Sequence, residues 1–348
     1  MCDRLGALVV AAIAAIWLCG CASAGPLARF EFTRVCMGVP AKVVLYAPTH
    51  DDAVDAAAAA FDRIGQLDDC MSDYRPRSEL MRLCAASAAG PSGPIPVSAD
   101  LFDVLTTARA VSEASGGAFD VTVGPLVKLW RQSRRDLRLP DQQVREAARA
   151  SVGYNAVELN GLYRTVSLSR RGMQLDLGGI GKGYAAQRAV ERLRERGYPR
   201  CLVSMSGDIV AGDPPPGGDA WTIDLPAPIL MGSNPDGCSR SLLLCNAAVS
   251  TSGDSQQFIE IAGERYSHIL DPRTGLGVRG GVMCTIMAPR GELSDSLASA
   301  VCVSGPGVLP RLHSAFPGVS AIVWPAPDAE PIISDPSGQM RLARPRAP

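Results

Sequence analysis

The sequence carries almost no net charge, and it has few histidines. Its 34 basic and 35 acidic side chains leave a formal charge of −1, so the basic surplus that nucleic-acid binding needs is missing. Eleven cysteines are present, but those beyond residue 21 show none of the spacings typical of metal ligands. Internal repeats are also absent, which excludes a repeat architecture. Three histidines are available for proton transfer, and the neighbours of each decide which one is a candidate.

The one long apolar run stands at the N-terminus. It follows Arg4 and extends from Leu5 to Leu18, which is short for a transmembrane helix and typical of a secretory signal. The sequence that follows resembles a bacterial lipobox, in which Cys21 is acylated and becomes the new N-terminus. An ordinary signal peptide, cleaved near Ala22-Ser23-Ala24, is the alternative. We therefore expect an exported protein that is lipid-anchored to a bacterial membrane and faces the periplasm.

The apolar pattern predicts helices and strands mixed along one domain. Helices are expected at 53–66, from Ser98 as N-cap, at 142–151, at 183–196 up to Gly197, and from Asp295 to Val303. Strands are expected at 155–159, 163–168, 173–177, 200–205, 221–225, 241–250, 256–261, 264–269, 282–288 and 318–324. Strands joined by hairpins, with helices between some of them, indicate an α+β fold with mixed and largely antiparallel sheets. We divide the chain into a lipoprotein-type signal peptide at 1–20, one domain at 21–335 and a disordered tail at 336–348.

Disulfide bonds are possible in an exported protein. Two pairs of cysteines bracket short segments: Cys70 with Cys84, and Cys238 with Cys245. Three others lie in apolar runs and are expected to be buried free thiols: Cys201, Cys284 and Cys302.

Glycines are concentrated in segment 176–184, Asp-Leu-Gly-Gly-Ile-Gly-Lys-Gly-Tyr, where an extended run gives way to a helix. Glycines let backbone N–H groups approach a ligand, and a helix N-terminus attracts anions, so a phosphate is a candidate ligand. The segment is not a P-loop, because Gly183 follows Lys182 where Ser or Thr is required. A turn that serves packing alone is the alternative.

Two further groups of residues suggest chemistry. Asp295 and Ser299 are four positions apart on a predicted helix, so both oxygens can reach one hard cation such as Mg²⁺. Helix capping by Asp295 and a bond from Ser299 to a backbone carbonyl are the alternative. His268 lies in a ten-residue stretch, 266–275, that also contains Asp271 and Arg273. Of the three histidines only His268 has both a carboxylate and a guanidinium within five positions, which makes it the candidate for proton transfer.

Several segments together resemble one known family. In chain order they are Cys36-Met37-Gly38, 71–79, 116–126, 176–184, Ser206-Gly207-Asp208, 250–254, 266–275 and the helix at Asp295. In this order they resemble the ApbE family of flavin transferases, and the resemblance runs from about residue 30 to about residue 325.

The resemblance implies an FAD:protein FMN transferase with its flavin and metal site in a central cleft. Such an enzyme takes FAD as substrate, attaches FMN through a phosphoester to a threonine or serine of a target protein, and releases AMP. Mg²⁺ would be held by Asp295, Ser299 and the backbone at Gly181, with Lys182 close by. His268 would be the general base. The remaining flavin- and nucleotide-binding residues would be Met37, Tyr74, Asp120, Ser252 and Gly253.

The sequence departs from the family pattern at three positions. Gln187 stands where aspartate is usual, Ser206 replaces a glycine, and Ser299 replaces a threonine metal ligand. The loss of charge at Gln187 suggests a weaker nucleotide contact, whereas the hydroxyl of Ser299 preserves the ligand.

The acceptors implied are flavoprotein subunits of membrane redox complexes. Two alternatives use the same residues: a periplasmic FAD pyrophosphatase that gives FMN and AMP, and a non-catalytic flavin-binding lipoprotein.

Overall fold

The computed structural model describes residues 26–226, 241–253 and 257–343. The helices are α1 His50–Met71, α2 Glu79–Ala85, α3 Ala99–Ser115, α4 Gly124–Asp136, α5 Gln142–Arg149, α6 Gly181–Glu195, α7 Gly291–Ser304 and α8 Leu309–Ala315. The strands are β1 Ala28–Cys36, β2 Val39–Ala47, β3 Ile95–Pro96, β4 Val157–Asn160, β5 Thr165–Leu168, β6 Cys201–Met205, β7 Asp208–Ala211, β8 Trp221–Asp224, β9 Ser241–Leu244, β10 Ala248–Ser252, β11 Phe258–Ile261, β12 Glu264–Ser267, β13 Leu270–Asp271, β14 Leu276–Gly277, β15 Met283–Ala288, β16 Ser320–Trp324, β17 Ile332–Ser334 and β18 Arg341–Leu342. The predicted α+β class, with largely antiparallel sheets, is confirmed.

An eight-stranded antiparallel sheet forms the centre of the fold. Its strand order is β1-β2-β6-β7-β10-β15-β16-β17. Helices α1, α6 and α7 pack on one face, where Leu45, Ile64 and Tyr184 are fully buried. A three-stranded sheet, β18-β9-β8, covers the other face through a second apolar cluster that includes Trp221 and Ile322. Interior strands such as β6, β15 and β16 are therefore buried on both faces and read as nearly continuous apolar runs, whereas the edge strand β1 is largely exposed.

A small third cluster lies apart from these two cores. Trp130 of α4 packs against Ile261 and Tyr266 of the β11-β12 hairpin. Its indole Nε1 also donates a hydrogen bond of 3.2 Å to the carbonyl of Ser267. This contact fixes the segment that leads directly into His268.

Local sequence explains two features that place the site. Met37 and Gly38 connect β1 to β2 as a two-residue hairpin, and both have positive φ, at 50° and 75°. A turn of this kind matches the twist of the strands and brings Met37 to the end of the sheet. The predicted N-cap of α3 is confirmed, since the Ser98 side chain accepts a hydrogen bond from the N–H of Leu101.

Two predicted strands differ from the structure. Segment 173–177 alternates buried and half-buried residues, but its only strand-like contact among the described residues is one isolated bridge from Gln174 to Val123. It is an extended segment that crosses the core. Every second side chain is therefore buried, although the segment does not form hydrogen-bonded pairs along a neighbouring strand. The predicted strand 241–250 is two strands in different sheets, separated at Asn246, whose φ of 48° interrupts the pairing.

The last helix and the tail also need correction. Helix α7 begins at Gly291, four positions before the predicted start, so Asp295 lies inside the helix and does not cap it. The tail predicted to be disordered from residue 336 is ordered up to residue 343, because Arg341 and Leu342 pair with β9. Asp335 anchors this segment by accepting from the N–H groups of Gln339 and Met340.

The described cysteines are all free thiols, so the pairing of Cys70 with Cys84 is wrong. Cys201, Cys284 and Cys302 are buried, as predicted. Cys238 and the predicted signal peptide fall outside the described residues. No helix within the described ranges is long and apolar enough to cross a membrane.

Candidate active site

A cleft of about 820 Å³ opens at one end of the central sheet. It is lined by the β1-β2 turn, the end of α1, the glycine-rich segment before α6, the Ser206-Gly207-Asp208 turn, the end of β10, the loop at His268 and one face of α7. All ten residues that the sequence assigns to catalysis, metal or nucleotide line it: Met37, Tyr74, Asp120, Gly181, Lys182, Ser252, Gly253, His268, Asp295 and Ser299. The eleventh, Cys21, lies outside the described residues. The structure thus brings distant motifs together, while the role of each residue stays a prediction.

The glycine-rich segment lies against α7 with almost no space between them. A Cβ at Gly183 would lie 2.1 Å from the carbonyl oxygen of Gly291, and one at Gly291 would lie 2.2 Å from the carbonyl oxygen of Gly183. A Cβ at Gly179 would come within 3.3 Å of the Ser299 hydroxyl. Only glycine permits this approach, so the segment has a packing function in addition to exposing the N-terminus of α6 to the cleft.

A buried charge cluster forms where these two helices meet. The Lys182 ammonium lies 2.6 Å from a carboxylate oxygen of Asp208 and 3.5 Å from one of Asp295. The same Asp295 oxygen accepts a hydrogen bond of 3.1 Å from the N–H of Gly183. Burial and the neighbouring charge of Asp208 raise the pKa of Asp295 to about 7, even though Lys182 opposes the shift. Burial would lower the pKa of Lys182, but the two carboxylates outweigh burial and raise it.

The oxygen atoms at this cluster suit a magnesium ion. Mg²⁺ binds oxygen ligands, keeps several waters, and typically uses one or two carboxylates together with substrate phosphates. Asp295 and Ser299 lie one helical turn apart against Gly183 and Gly179 of the glycine-rich segment, and Gly181 lines the same cleft. Two buried carboxylates against one ammonium also leave a negative surplus that a cation would neutralise. Within the described residues no group of three or more His, Cys, Asp and Glu could hold a metal ion. Water and substrate phosphates would complete the set of ligands around Mg²⁺.

His268 lies on the other wall of the cleft, in an exposed position. Its ring Nδ1 and its backbone N–H each lie 3.1 Å from the carbonyl oxygen of Gln257. In the tautomer that donates Nδ1–H to this carbonyl, the neutral ring carries its lone pair at Nε2. The arrangement therefore suits a residue that accepts a proton.

The loop after His268 is held by its own polar groups. The Asp271 carboxylate accepts from Nε and Nη2 of Arg273, both at 2.9 Å, and from the Arg273 backbone N–H at 2.9 Å. Its carbonyl accepts from the N–H groups of Thr274 and Gly275. Asp271 thus orients the loop.

Arg131 and Tyr74 form the wall nearest α4. The Arg131 guanidinium stacks 4.4 Å from the Tyr74 ring centroid, and it pairs with Asp73 at 2.6 Å and with Asp176 at 3.1 Å. Tyr74 remains 74% exposed, so one face of its ring is available to a ligand. Burial, followed by the charge of Asp73, raises the pKa of Asp176. Sequence reasoning missed Arg131, because its two acidic partners are 58 and 45 positions away.

Asp120 lines the cleft, but both its oxygens are engaged. One accepts from the N–H and hydroxyl of Thr122, at 2.8 and 2.6 Å, and the other from the N–H of Tyr154 at 2.9 Å. Burial raises its pKa despite these donors. In this geometry Asp120 braces the wall of the cleft.

Two of the three departures have a structural explanation. Gln187 does not line the cleft. Its side-chain oxygen accepts from the N–H of Gly291, and its amide donates to Glu191, so it caps α7 instead of contacting a nucleotide. Ser206 has φ of 61°, a conformation that glycine adopts at lower cost, and this accounts for the family's glycine.

Comparison with known proteins agrees with this arrangement. A sequence model of the ApbE family matches residues 37–323. The chain belongs to the ApbE family. It is 32% identical over 337 residues to the FAD:protein FMN transferase of Treponema pallidum (strain Nichols), covering 92% of this chain and 90% of that protein. It is also 32% identical to an FAD:protein FMN transferase of Klebsiella pneumoniae (strain 342), covering 71% of this chain and 73% of the relative. The solved structure of flavin transferase ApbE from Vibrio cholerae superposes with a TM-score of 0.77 at 25% identity, covering 89% of this chain and 98% of that one.

Proposed function

We propose that this protein transfers FMN from FAD to a threonine or serine hydroxyl of exported or membrane flavoprotein subunits, depends on Mg²⁺, and releases AMP. The coarse activity, an FAD:protein FMN transferase, follows from family membership and from relatives of that name that match most of the chain. The finer statement rests on one observation. A single cleft is lined both by the charge cluster, with its two buried carboxylates and the Lys182 ammonium, and by His268.

With Mg²⁺ bound to offset its negative surplus, the cluster of Lys182, Asp208 and Asp295 would suit the pyrophosphate of FAD. Phosphoryl transfer depends mainly on positioning and on neutralising the charge of the phosphates. Lys182 and the N-terminus of α6 supply positive charge at the cleft. Mg²⁺, held by Asp295, Ser299 and the backbone at Gly181, would neutralise further charge on the pyrophosphate.

His268 would accept the proton of the acceptor hydroxyl. The hydroxyl oxygen then forms a bond to the phosphorus of the FMN half, and the bond from that phosphorus to the oxygen bridging to AMP breaks. AMP leaves with the bridging oxygen, and the proton stays on the imidazole until solvent removes it. The backbone carbonyl of Gln257 holds the ring for this role.

We place the enzyme outside the cytoplasm, anchored by lipid on Cys21 and facing the periplasm. The support is the apolar run from Leu5 to Leu18 and the cysteine that follows it. Flavin-carrying subunits of membrane redox complexes are the acceptors that fit such a location.

Mass spectrometry of co-produced candidate acceptors tests the proposal. Transfer predicts an acceptor that gains the mass of an FMN phosphoester on a threonine or serine, together with free AMP, in a reaction that requires Mg²⁺. Free FMN and AMP with an unmodified acceptor would indicate FAD pyrophosphatase activity instead. Bound but intact FAD would indicate a flavin-binding protein without catalysis.

A further inference from the structure

Helices α4 and α5 and the turn between them form the most basic surface beside the cleft. Segment 128–149 contains seven basic and three acidic side chains in a chain whose net charge is −1. We call the basic face the five residues of this segment whose charges have no partner: Lys128, Arg134, Arg135, Arg138 and Arg145. None of the five has an ion pair or a side-chain hydrogen bond within the described residues.

The nearby acidic groups offset only part of this charge, since seven basic and three acidic side chains leave segment 128–149 with a net charge of +4, and none of the three forms an ion pair with the basic face in the described part of the chain. Asp136 accepts from the Gln132 amide, and Glu146 accepts from the Gln142 amide. Asp141 caps α5 by accepting from backbone N–H groups. Five cations that form no ion pair lie on α4, α5 and the turn between them and repel one another, a cost that an anionic partner would remove.

The basic face is continuous with the cleft rim on the side of His268. Arg134 lines the cleft itself. The stem of Arg145 packs beside Gly275 at the end of the His268 loop, and Arg149 donates to the Arg273 carbonyl in the same loop at 2.7 Å. The basic face therefore adjoins the loop that carries the candidate base.

Apolar side chains lie among these charges. Leu137 is 60% exposed and Val144 is 50% exposed. A groove of about 210 Å³ between α4 and α5 is lined by apolar residues that include Leu139 and Val144, and by Arg138, Asp136 and Asp141 among its polar residues, so it suits the apolar part of a bound segment. Helix α5 has no buried residue at all, so it contributes little to the core of this chain. Exposed apolar residues within a charged rim are typical of protein interaction sites.

We propose that the basic face and its groove dock an acidic, partly apolar segment of the acceptor protein and so direct its hydroxyl to His268. The inference rests on the proposed function and names the chemistry of its partner. A protein substrate must cross the cleft rim to reach the cleft, and this is the rim with unpaired positive charge. A bilayer seated on the same face would cover the entrance that the acceptor has to use. The face is therefore assigned to the acceptor and not to anionic lipid.

Charge reversal at Arg135 and Arg138 tests the assignment without touching the cleft lining. The double variant Arg135→Glu/Arg138→Glu is compared with Arg171→Glu/Arg196→Glu, which makes the same change of charge at exposed arginines outside the cleft. The substrate is the acceptor identified by mass spectrometry. We expect kcat/KM for the acceptor to fall about tenfold in the first variant, mostly through KM, while FAD affinity is unchanged and the control stays near wild type. Added salt should lower the wild-type kcat/KM for the acceptor and so reduce the difference in kcat/KM between the wild type and Arg135→Glu/Arg138→Glu.

The outcomes separate this inference from the proposed function. Equal kcat/KM in the two double variants, with normal transfer by the wild type, would overturn the docking assignment and leave the transferase intact. Loss of binding to phosphatidylglycerol vesicles, with transfer to the acceptor unchanged, would assign the face to lipid instead. Absence of FMN transfer by the wild type to any candidate acceptor would overturn the proposed function and this inference with it.

Discussion

Replacing Asp295 with asparagine removes one buried negative charge and keeps the shape of the side chain. The carboxylate is 2% exposed, and its pKa is raised from 3.8 to about 7 by burial and by Asp208. That interval corresponds to about 4 kcal/mol of unfavourable free energy for the ionised form in the folded state. The asparagine oxygen can still accept the hydrogen bond from the N–H of Gly183. We therefore expect Asp295→Asn to be more stable than the wild type at pH 8 and inactive in FMN transfer.

The difference in the free energy of unfolding between Asp295→Asn and the wild type should depend on pH. Between pH 3.8 and about 7 the folded wild type keeps a proton on Asp295 that the unfolded chain releases. Wild-type stability attributable to this group is complete below pH 3.8 and is lost as the pH rises through about 7. The variant has no such loss. The free energy of unfolding of Asp295→Asn should exceed that of the wild type by about 4 kcal/mol at pH 8 and by less than about 2 kcal/mol at pH 5.

Urea denaturation in EDTA at several pH values measures the difference directly. Asp62→Asn, at an exposed position on α1, is the control and should show no advantage at either pH. Magnesium should then stabilise the wild type, by about 2.7 kcal/mol at a hundred times its Kd, and leave Asp295→Asn unchanged. If the variant is no more stable than the wild type at pH 8, or if its advantage does not shrink at pH 5, the buried charge is not as costly as we infer.

Four further changes test other parts of the site. His268→Asn should keep FAD binding and lower transfer by about two to four orders of magnitude, because a positioned base is lost; near-normal transfer would contradict a catalytic role. Ser206→Gly should raise the free energy of unfolding by about 0.5–1 kcal/mol because it relieves a positive φ, and a loss of stability on urea denaturation would contradict this. Gly183→Ala should cost about 3 kcal/mol or more, since its Cβ meets the Gly291 carbonyl, whereas Gly65→Ala, with open space around it, should be harmless in the same assay. Cys21→Ser should release the protein from membranes in fractionation or leave it unprocessed, and a soluble wild type would refute the anchor.

Local signals in the sequence predicted the elements that depend on local chemistry. The N-cap at Ser98 and the glycine that ends α6 depend on backbone groups a few residues away, and both are visible in the chain. The strand predicted at 173–177 was wrong because alternating apolar residues indicate only that one side of an extended chain is buried. They do not show that a neighbouring strand pairs with it. The β1-β2 hairpin was missed, although Met-Gly between two strand-like runs marks its turn.

At the candidate site, too, the sequence identified individual residues but not the contacts between residues that are far apart in the chain. The resemblance to the ApbE family, carried by several motifs in order, was enough to name the ten cleft-lining residues, although single motifs are weak signals. The partners of those residues were not predictable from spacing. Lys182 pairs with Asp208 across 26 positions, and Arg131 reaches Asp73 across 58. Only the packing of the helices and the sheet brings such pairs together.

The two glycines that let α6 touch α7 explain why the charge cluster exists at all. Without the contact between Gly183 and Gly291, Asp295 would lie farther from both the N–H of Gly183 and the ammonium of Lys182. Close packing excludes water, which raises the cost of the carboxylate and strengthens its attraction to any cation that reaches it. Such a site lowers the stability of the folded protein when it is empty and raises it when a cation and phosphates bind. The same contact therefore accounts for the raised pKa of Asp295, for the expected gain in stability of Asp295→Asn, and for the loss of activity that should accompany it.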